Sequence, residues 1–421
     1  GATCLVVEKK IPGISPEGVS QIVVPDTQKA LGDLAAYRRQ QLKRLREQKI
    51  IGITGSCGKT TVKEMVAVIL ERVWPAGNDY PENCVLKTRG NFNNLIGLPL
   101  SLLPLELHHK AAVLEMGMNQ PGELLKLAGI ADPDISCIVN IYGAHLEGLG
   151  SIEGVAKAKE ELFVATKATG TLIVNLDDPR VVALSARYSQ KKIAFSVSSK
   201  ETEQGRADVW ASDINCKNEG VITFTLHHKR ETVKIHLYKA GQHNVSNCLA
   251  AAAISLAAGA DLEQVRSGVA DFRPADKRMQ IVRAAAGYTI LNDTYNANPA
   301  SMTAGLKTLK QMSKKRSVAL IGDMLELGDI SSQAHFDIGR LVGELQVDFV
   351  GIVGTFREDV LRGAIENGCE EGKIEIFDNK EALVLWMKAL SGRINLGADD
   401  LVLVKASRGL RFETIIENLV E

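Results

Sequence analysis

The chain has 421 residues, too many for one ordinary hydrophobic core, so its length predicts two or three domains. Its 50 Lys and Arg balance 50 Asp and Glu, and no basic surplus points to a nucleic-acid backbone. The 7 cysteines stand singly, which argues for a reducing compartment and against a disulfide framework or zinc site; no apolar run is long enough for a membrane span, and the first residues form no signal peptide.

Residues 1–26 carry two short apolar runs, CLVVE and QIVVP, separated by the turn chemistry of IPGISPEG. Two strands without a helix cannot bury a core, and the sequence starts inside the first of them. The segment is therefore expected to be the remnant of an amino-terminal domain with more chain upstream. PDTQKALGDLAAYRRQQLKRLREQ predicts a helix opened by Asp26 or Thr27, with its basic run read as a solvated face.

IIGITGSCGKTTVKEMVAVIL, residues 50–70, predicts strand, loop and helix: β-branched residues lead in, Gly52, Gly55 and Gly58 space the loop, and Val62, Met65, Val66 and Ile69 follow at helical period. The glycines allow successive N–H groups to turn inward around a polyphosphate at the positive end of the helix. The strict G-x-x-x-x-G-K-[ST] pattern would need glycine at Ile53, so the match is to the shorter core of Gly55, Ser56, Cys57, Gly58, Lys59, Thr60 and Thr61. Lys59 would reach the outer phosphates and Thr60 would offer its hydroxyl to magnesium. An ordinary glycine-rich turn is the bland alternative.

Beyond the loop, KTRGNFNNLIGLPLSLL places Gly90, Asn91, Asn93 and Asn94 before an apolar helix, fitting either a loop that binds something polar or an asparagine-rich turn. Glu115 ends the apolar strand Ala111 to Leu114, where an open α/β sheet faces its ligand crevice; it is a second candidate ligand for magnesium, or a solvated strand end. His145 follows the next strand, ISCIVNI, at the same edge. In the helix after it, Lys157 and Lys159 point about 200° apart. Lys159 shares a face with Phe163 and Lys157 with Glu161, so Lys159 is expected inside, unless it snorkels out. An inward lysine without a partner is costly.

VWASDIN, VITFTLH and TVKIHLY predict antiparallel strands with a turn at KNEG, and GQHNVSNCLAAAAISLAAGA an alanine-rich helix with polar residues at its start. DFRPADKRMQIV marks a boundary near residue 272. Strands YTILND, SVALIG, DFVGIV, KIEIF and LVLVK then alternate with helices, predicting a doubly wound domain of about 150 residues. Its polar clusters NDTYNANPASM, GDMLELGD and KASRGLRFE share the carboxyl edge.

These strings carry a resemblance. GITGSCGKTT, Glu115 after its strand, AHLEG with AKAKEELF, and GQHNVSNCLAAA make the chain similar to the ATP-dependent Mur ligases of bacterial cell-wall synthesis. GNFNNLIGLPLSLL, DTYNANPASM, GDMLELG and KASRGLRFE resemble the branch that joins D-alanyl-D-alanine to UDP-N-acetylmuramoyl-tripeptide. The resemblance implies an α/β fold: a remnant over 1–26, a central P-loop ATPase-like parallel sheet with antiparallel strands added over 27–272, and a Rossmann-like doubly wound domain over 273–421. It implies an acyl-phosphate mechanism using ATP and two Mg2+ ions, one on Thr60 and Glu115, the other on Glu115, His145 and a carbamylated Lys159. It also implies contacts to ATP from Asn247, Arg278 and Asp293, to the peptide substrates from Tyr295, Asn296, Asn298, Ser407 and Arg408 together with Thr88, Asn91, Asn93 and Asn94, and a cytoplasmic monomer that closes its last domain over ATP. Two departures stand out: Cys57 where asparagine is usual, and Ala406 where KGSRG would have glycine. The alternatives are a folylpolyglutamate-type ligase on the same core and a non-catalytic, nucleotide-gated scaffold.

Overall fold

The computed structural model describes residues 2–14, 18–77, 84–197, 199–217, 220–274 and 276–420. Parts of the turn segments IPGISPEG and KNEG, and Ala275 of DFRPADK, lie outside them. Two sheets organise the chain, one of nine strands and one of six.

The larger sheet has Lys49–Thr54 between Ala111–Glu115 and Ile135–Ile138, parallel to both. Val85–Lys87 forms the edge beyond Ala111–Glu115. On the other side follow Thr171–Asn175, Lys191–Ser196, Val209–Lys217, Val221–His228 and Glu231–Leu237, the last two antiparallel. The parallel strands are near-continuous apolar runs because helices cover both faces. One face carries Lys59–Val73, the alanine-rich His243–Ala258 and Leu262–Asp271; small side chains at Ala250 to Ala253, all fully buried, let the second of these lie deep in the core. The other carries Glu123–Ala131 and Ile152–Val164.

The six-stranded sheet runs Gln280–Arg283, Thr289–Asn292, Leu401–Lys405, Ser317–Gly322, Phe349–Val353 and Ile374–Phe377, parallel except for its first strand. No strand of either sheet crosses residue 272. Both have a reversal of strand order near the middle, which opens a crevice at the carboxyl ends of the strands. The architecture is α/β with parallel-dominated sheets, as the alternation of strand and helix signals predicts.

Three strands of the two large sheets escape the sequence reading, as do the two-residue strands Glu201–Thr202 and Gly205–Arg206. Val85–Lys87 and Gln280–Arg283 are short edge strands, and Lys191–Ser196 begins with two exposed lysines, so none shows a long apolar or alternating run. Residues Cys4–Val7 and Ser20–Val23 pair in parallel as a separate two-stranded sheet.

Helix Thr27–Leu45 is capped by Asp26, whose carboxylate accepts from the Lys29 N–H at 2.8 Å. Its basic face is only in part the solvated surface expected, with Arg38, Arg44 and Arg46 exposed. Arg39 is only 8% exposed and pairs with Asp132, Lys43 pairs with Asp134, and Arg38 donates to the Leu103 and Leu105 carbonyls. The run of cations docks the helix on the larger sheet's unit, satisfying acids and loop carbonyls that belong to distant segments.

Candidate active site

The carboxyl edges of the two sheets meet at a cavity of about 800 Å³ lined from both sides. Its floor is the phosphate-loop segment. Gly55 and Gly58 have φ of +159° and +82°, and a Cβ at residue 58 would overlap Asn247 Oδ1, so glycine is required there for both conformation and space. Gly58→Ala is expected to cost about 1–2 kcal/mol of stability from the left-handed backbone alone. By moving the loop it should also weaken nucleotide binding about tenfold or more, equivalent to about 1.4 kcal/mol. Denaturant melts and a nucleotide titration measure the two, and unchanged affinity would refute the required close approach.

The loop is clasped from outside. Asn140 accepts from the Cys57 N–H at 2.9 Å and donates to the Cys57 carbonyl at 3.2 Å, while the Ser56 hydroxyl donates to the Tyr142 carbonyl. Cys57 therefore contributes mainly its backbone, and its thiol donates to Asn298 Oδ1 at 3.3 Å. The Lys59 ammonium donates to its own loop at the Gly55 carbonyl, 2.7 Å. Burial lowers its pKa, against the pull of Glu115. Helices Lys59–Val73, His243–Ala258 and Pro299–Met312 all present their amino ends to the cavity, and Lys239 and Arg278 add positive charge from its walls. This is a site for a polyanion.

Glu115, 2% exposed, accepts from the Thr60 hydroxyl at 2.7 Å and from the Asn93 amide at 2.8 Å. The register that pairs Ile53 with Glu115 brings these groups together at the central strand ends. Among the described residues no three His, Cys, Asp or Glu side chains form a metal cluster. Thr60 and Glu115 nevertheless supply hard oxygen donors beside the phosphate loop, which fits magnesium. The second expected set is less complete: Glu115 and His145 line the cavity, but His145 Nδ1 lies 2.5 Å from Glu326 Oε2 and Lys159 is an amine off the cavity wall.

Lys159 is 2% exposed in the same core cluster region as Phe163, whereas Lys157 faces solvent. Burial, reinforced by Lys59, pushes the Lys159 ammonium well below its ordinary value. No described group makes a hydrogen bond or ion pair with it. Burying Phe163 or Leu162 contributes about 1.5–3 kcal/mol each. An unpaired buried ammonium costs several kcal/mol, so burial favours the neutral amine.

Among the other expected residues, Ser56, Cys57, Gly58, Thr61, Asn93, Asn94, Asn247, Arg278, Asp293, Tyr295, Asn296 and Asn298 line the cavity. Arg278 stacks on Tyr295 at 3.8 Å. Asp293 is engaged at both oxygens, by Lys405 at 2.6 Å and by the Met279 N–H at 3.1 Å. Thr88 does not reach the cavity: it is fully buried, its hydroxyl accepts from the Glu115 N–H and its carbonyl accepts from Lys63, so it supports Glu115 from behind and contacts no substrate there. Asn91 is exposed outside the cavity, Ser407 is buried and bonded, and Arg408 turns to Glu413 at 3.0 Å. The Ala406 methyl lies in the apolar core with Phe412.

Sequence reasoning missed Asn140, Lys239, Lys405 and Glu326. The available signal was a polar residue at or just past a strand's carboxyl end: Lys405 closes its strand, Asn140 and Lys239 follow Ile138 and Leu237 by two residues, and Glu326 follows Gly322 by four.

A profile of the Mur ligase middle domain matches residues 53–255, and one of the Mur ligase glutamate ligase domain matches residues 277–408. The UDP-N-acetylmuramoyl-tripeptide--D-alanyl-D-alanine ligase of Escherichia coli (strain K12) is 34% identical over 100% of this chain and 86% of its own length. The chain belongs to the Mur ligase family. The ligase of the same name from Bacillus subtilis (strain 168) is 33% identical over 100% of this chain and 85% of its own. The crystal structure of MurF from Acinetobacter baumannii superposes on this Mur ligase with a TM-score of 0.87 at 34% identity, covering 99% of this chain and 84% of that one. MurF ligase from Thermotoga maritima, solved in complex with ADP, gives 0.82 at 25% identity over 100% and 88%.

Proposed function

We propose that this Mur ligase joins D-alanyl-D-alanine to UDP-N-acetylmuramoyl-tripeptide at the expense of ATP, in peptidoglycan precursor synthesis. One observation carries the reading: Thr60 and Glu115 stand 2.7 Å apart at the end of a phosphate loop, inside a cavity whose opposite wall comes from the other sheet. The names of the relatives supply the substrates. A monomer working in the cytoplasm is part of the same proposal; among the described residues no helix is long and apolar enough to cross a membrane. Residues 27–272 would be the ATP-binding domain and 273–421 the closing domain, with 1–26 ahead of them.

In the first step a carboxylate oxygen of the tripeptide attacks the γ-phosphorus of ATP, the bond to the ADP oxygen breaks, and an acyl phosphate forms. The amine of D-alanyl-D-alanine then attacks the acyl carbon, loses a proton, and phosphate departs from the tetrahedral intermediate. Both partners of the first step are anions, so charge neutralisation dominates. Lys59 leaves the Gly55 carbonyl for the transferring phosphate, the three helix ends hold the other phosphate oxygens, and Arg278 on Tyr295 closes the nucleotide side. Thr60 and Glu115 would hold one magnesium ion, which supplies further neutralisation when bound. Glu115, His145 and Lys159 would hold a second once the neutral Lys159 amine adds carbon dioxide and releases a proton, becoming an anionic carbamate. Asn93 positions Glu115; Tyr295 and Asn296, which line the same cavity, would meet the peptide substrates, while the Asn298 amide is held on the phosphate loop.

Phosphate release should require the nucleotide tripeptide and D-alanyl-D-alanine together, followed by mass detection of the amide product. Release with neither peptide, or with glutamate and a folate in their place, would overturn this assignment.

A further inference from the structure

The GDMLELG segment has no role in the chemistry above, yet it reaches across the cavity. Glu326 Oε2 lies 2.5 Å from His145 Nδ1, and the Glu326 carbonyl accepts from the Glu147 N–H at 3.3 Å. Both Glu326 and His145 are non-glycine residues in the left-handed region, with φ of +65° and +56°. Such residues cost on the order of 1–3 kcal/mol each and persist where their surroundings hold them. Here the two strained residues hold one another.

The contact is tied to the phosphate loop by a continuous set of bonds. The Leu325 N–H donates to the Ser407 hydroxyl at 2.8 Å, and that hydroxyl donates to the Ala297 carbonyl at 3.2 Å. The next residue, Asn298, accepts from the Cys57 thiol and donates to the Ser56 carbonyl at 3.5 Å. Glu326 thus meets His145 in an arrangement in which the smaller sheet's loops sit against the phosphate loop.

A carboxylate on Nδ1 fixes the proton there and leaves Nε2 as the lone-pair side, which is how carboxylates orient metal-binding histidines. His145 lines the cavity with Glu115, and no described group bonds its Nε2. We propose that Glu326 is the positioning residue of His145, delivered by the carboxy-terminal unit, so that closure over the nucleotide and completion of the cation site are one event. This rests on the reading of His145 as a ligand within the ligase site.

The test uses the full chain with Glu326→Ala and Glu326→Gln, a non-hydrolysable ATP analogue and Mn2+ as the metal probe. In ¹⁵N-histidine spectra, assigned with His145→Gln, the wild type should show His145 protonated at Nδ1 in a strong hydrogen bond. Glu326→Ala should lose that signal, and Glu326→Gln, which keeps an acceptor without the charge, should weaken it. Mn2+ affinity by electron paramagnetic resonance should fall roughly 10–100-fold in Glu326→Ala, the range for removing an orienting partner, and less in Glu326→Gln. Nucleotide affinity at saturating metal should stay near the wild-type value, as a folding defect would not allow. Unchanged Mn2+ affinity, or a fall with the imidazole signal intact, would overturn the proposal. Failure of the ligase assignment would appear elsewhere, as a wild type that binds Mn2+ and nucleotide but forms no amide.

Discussion

Lys59→Ala is expected to lower turnover on the order of 10²–10³-fold while the protein stays folded, the usual effect of removing one preorganised charge from a transition state. The ammonium now rests on the Gly55 carbonyl at 2.7 Å, a neutral acceptor that it can exchange for phosphate oxygen without leaving the loop. Its removal creates no large core void, because the side chain is only partly buried. The loss should appear mainly in kcat, since the ground-state phosphates are also held by three helix amino ends and by Lys239 and Arg278. Lys59→Arg should not restore the rate, because a planar fork cannot occupy the place of a compact point charge inside so tight a loop. Circular dichroism and pre-steady-state ADP formation distinguish a chemical defect from a folding one. A folded Lys59→Ala enzyme within threefold of wild type would remove Lys59 from the mechanism.

What could be read beforehand follows from how each group is encoded. The phosphate loop was legible because its glycines, lysine and threonine are contiguous, so spacing alone fixes their geometry. Glu115 was legible because it ends a buried strand, and the inward turn of Lys159 because helical period ties it to Phe163. The opposite wall was legible only as polar strings at strand ends, and within them the strings did not say which residue faces in. Thr88 and Asn94 sit in one string, yet the first is locked beneath Glu115 and the second lines the cavity. The contacts that join the two sheets escaped entirely, because each partner comes singly from far away: 181 residues separate His145 from Glu326, and 241 separate Cys57 from Asn298. The docking of the basic helix on Asp132 and Asp134 escaped for the same reason. Local pattern encodes elements and their edges, whereas cross-sheet pairing depends on where the folded edges come to lie.

Lys159→Ala should reduce activity on the order of 10²-fold or more, because losing a metal ligand ought to cost no less than the 10–100-fold typical of its supporting partners. The side chain is 2% exposed, its ammonium is driven well below its usual pKa by burial and then by Lys59, and it has no described partner. A neutral amine in that position can take up carbon dioxide; a cation would repel magnesium and Lys59 alike. Carbamylation would reverse the sign of the group and give Lys59 an anion nearby. Deleting the stem also leaves a cavity, with a cost of about 2–5 kcal/mol by analogy with other large-to-Ala core changes. Lys159→Met therefore serves as the filled control: it should be as inactive as Lys159→Ala but closer to wild type in stability. The two variants separate again in rescue. A short carboxylic acid such as acetate or propionate should enter the space left in Lys159→Ala and restore part of the activity, whereas Lys159→Met has no such space and should gain nothing. Lys157→Ala, on the solvent side of the same helix, should behave as wild type throughout. Mass spectrometry under bicarbonate with rapid trapping should find the added carboxyl on Lys159 and not on Lys157. Full activity of folded Lys159→Met would end the carbamate reading, because that variant keeps the packing and lacks only the nitrogen.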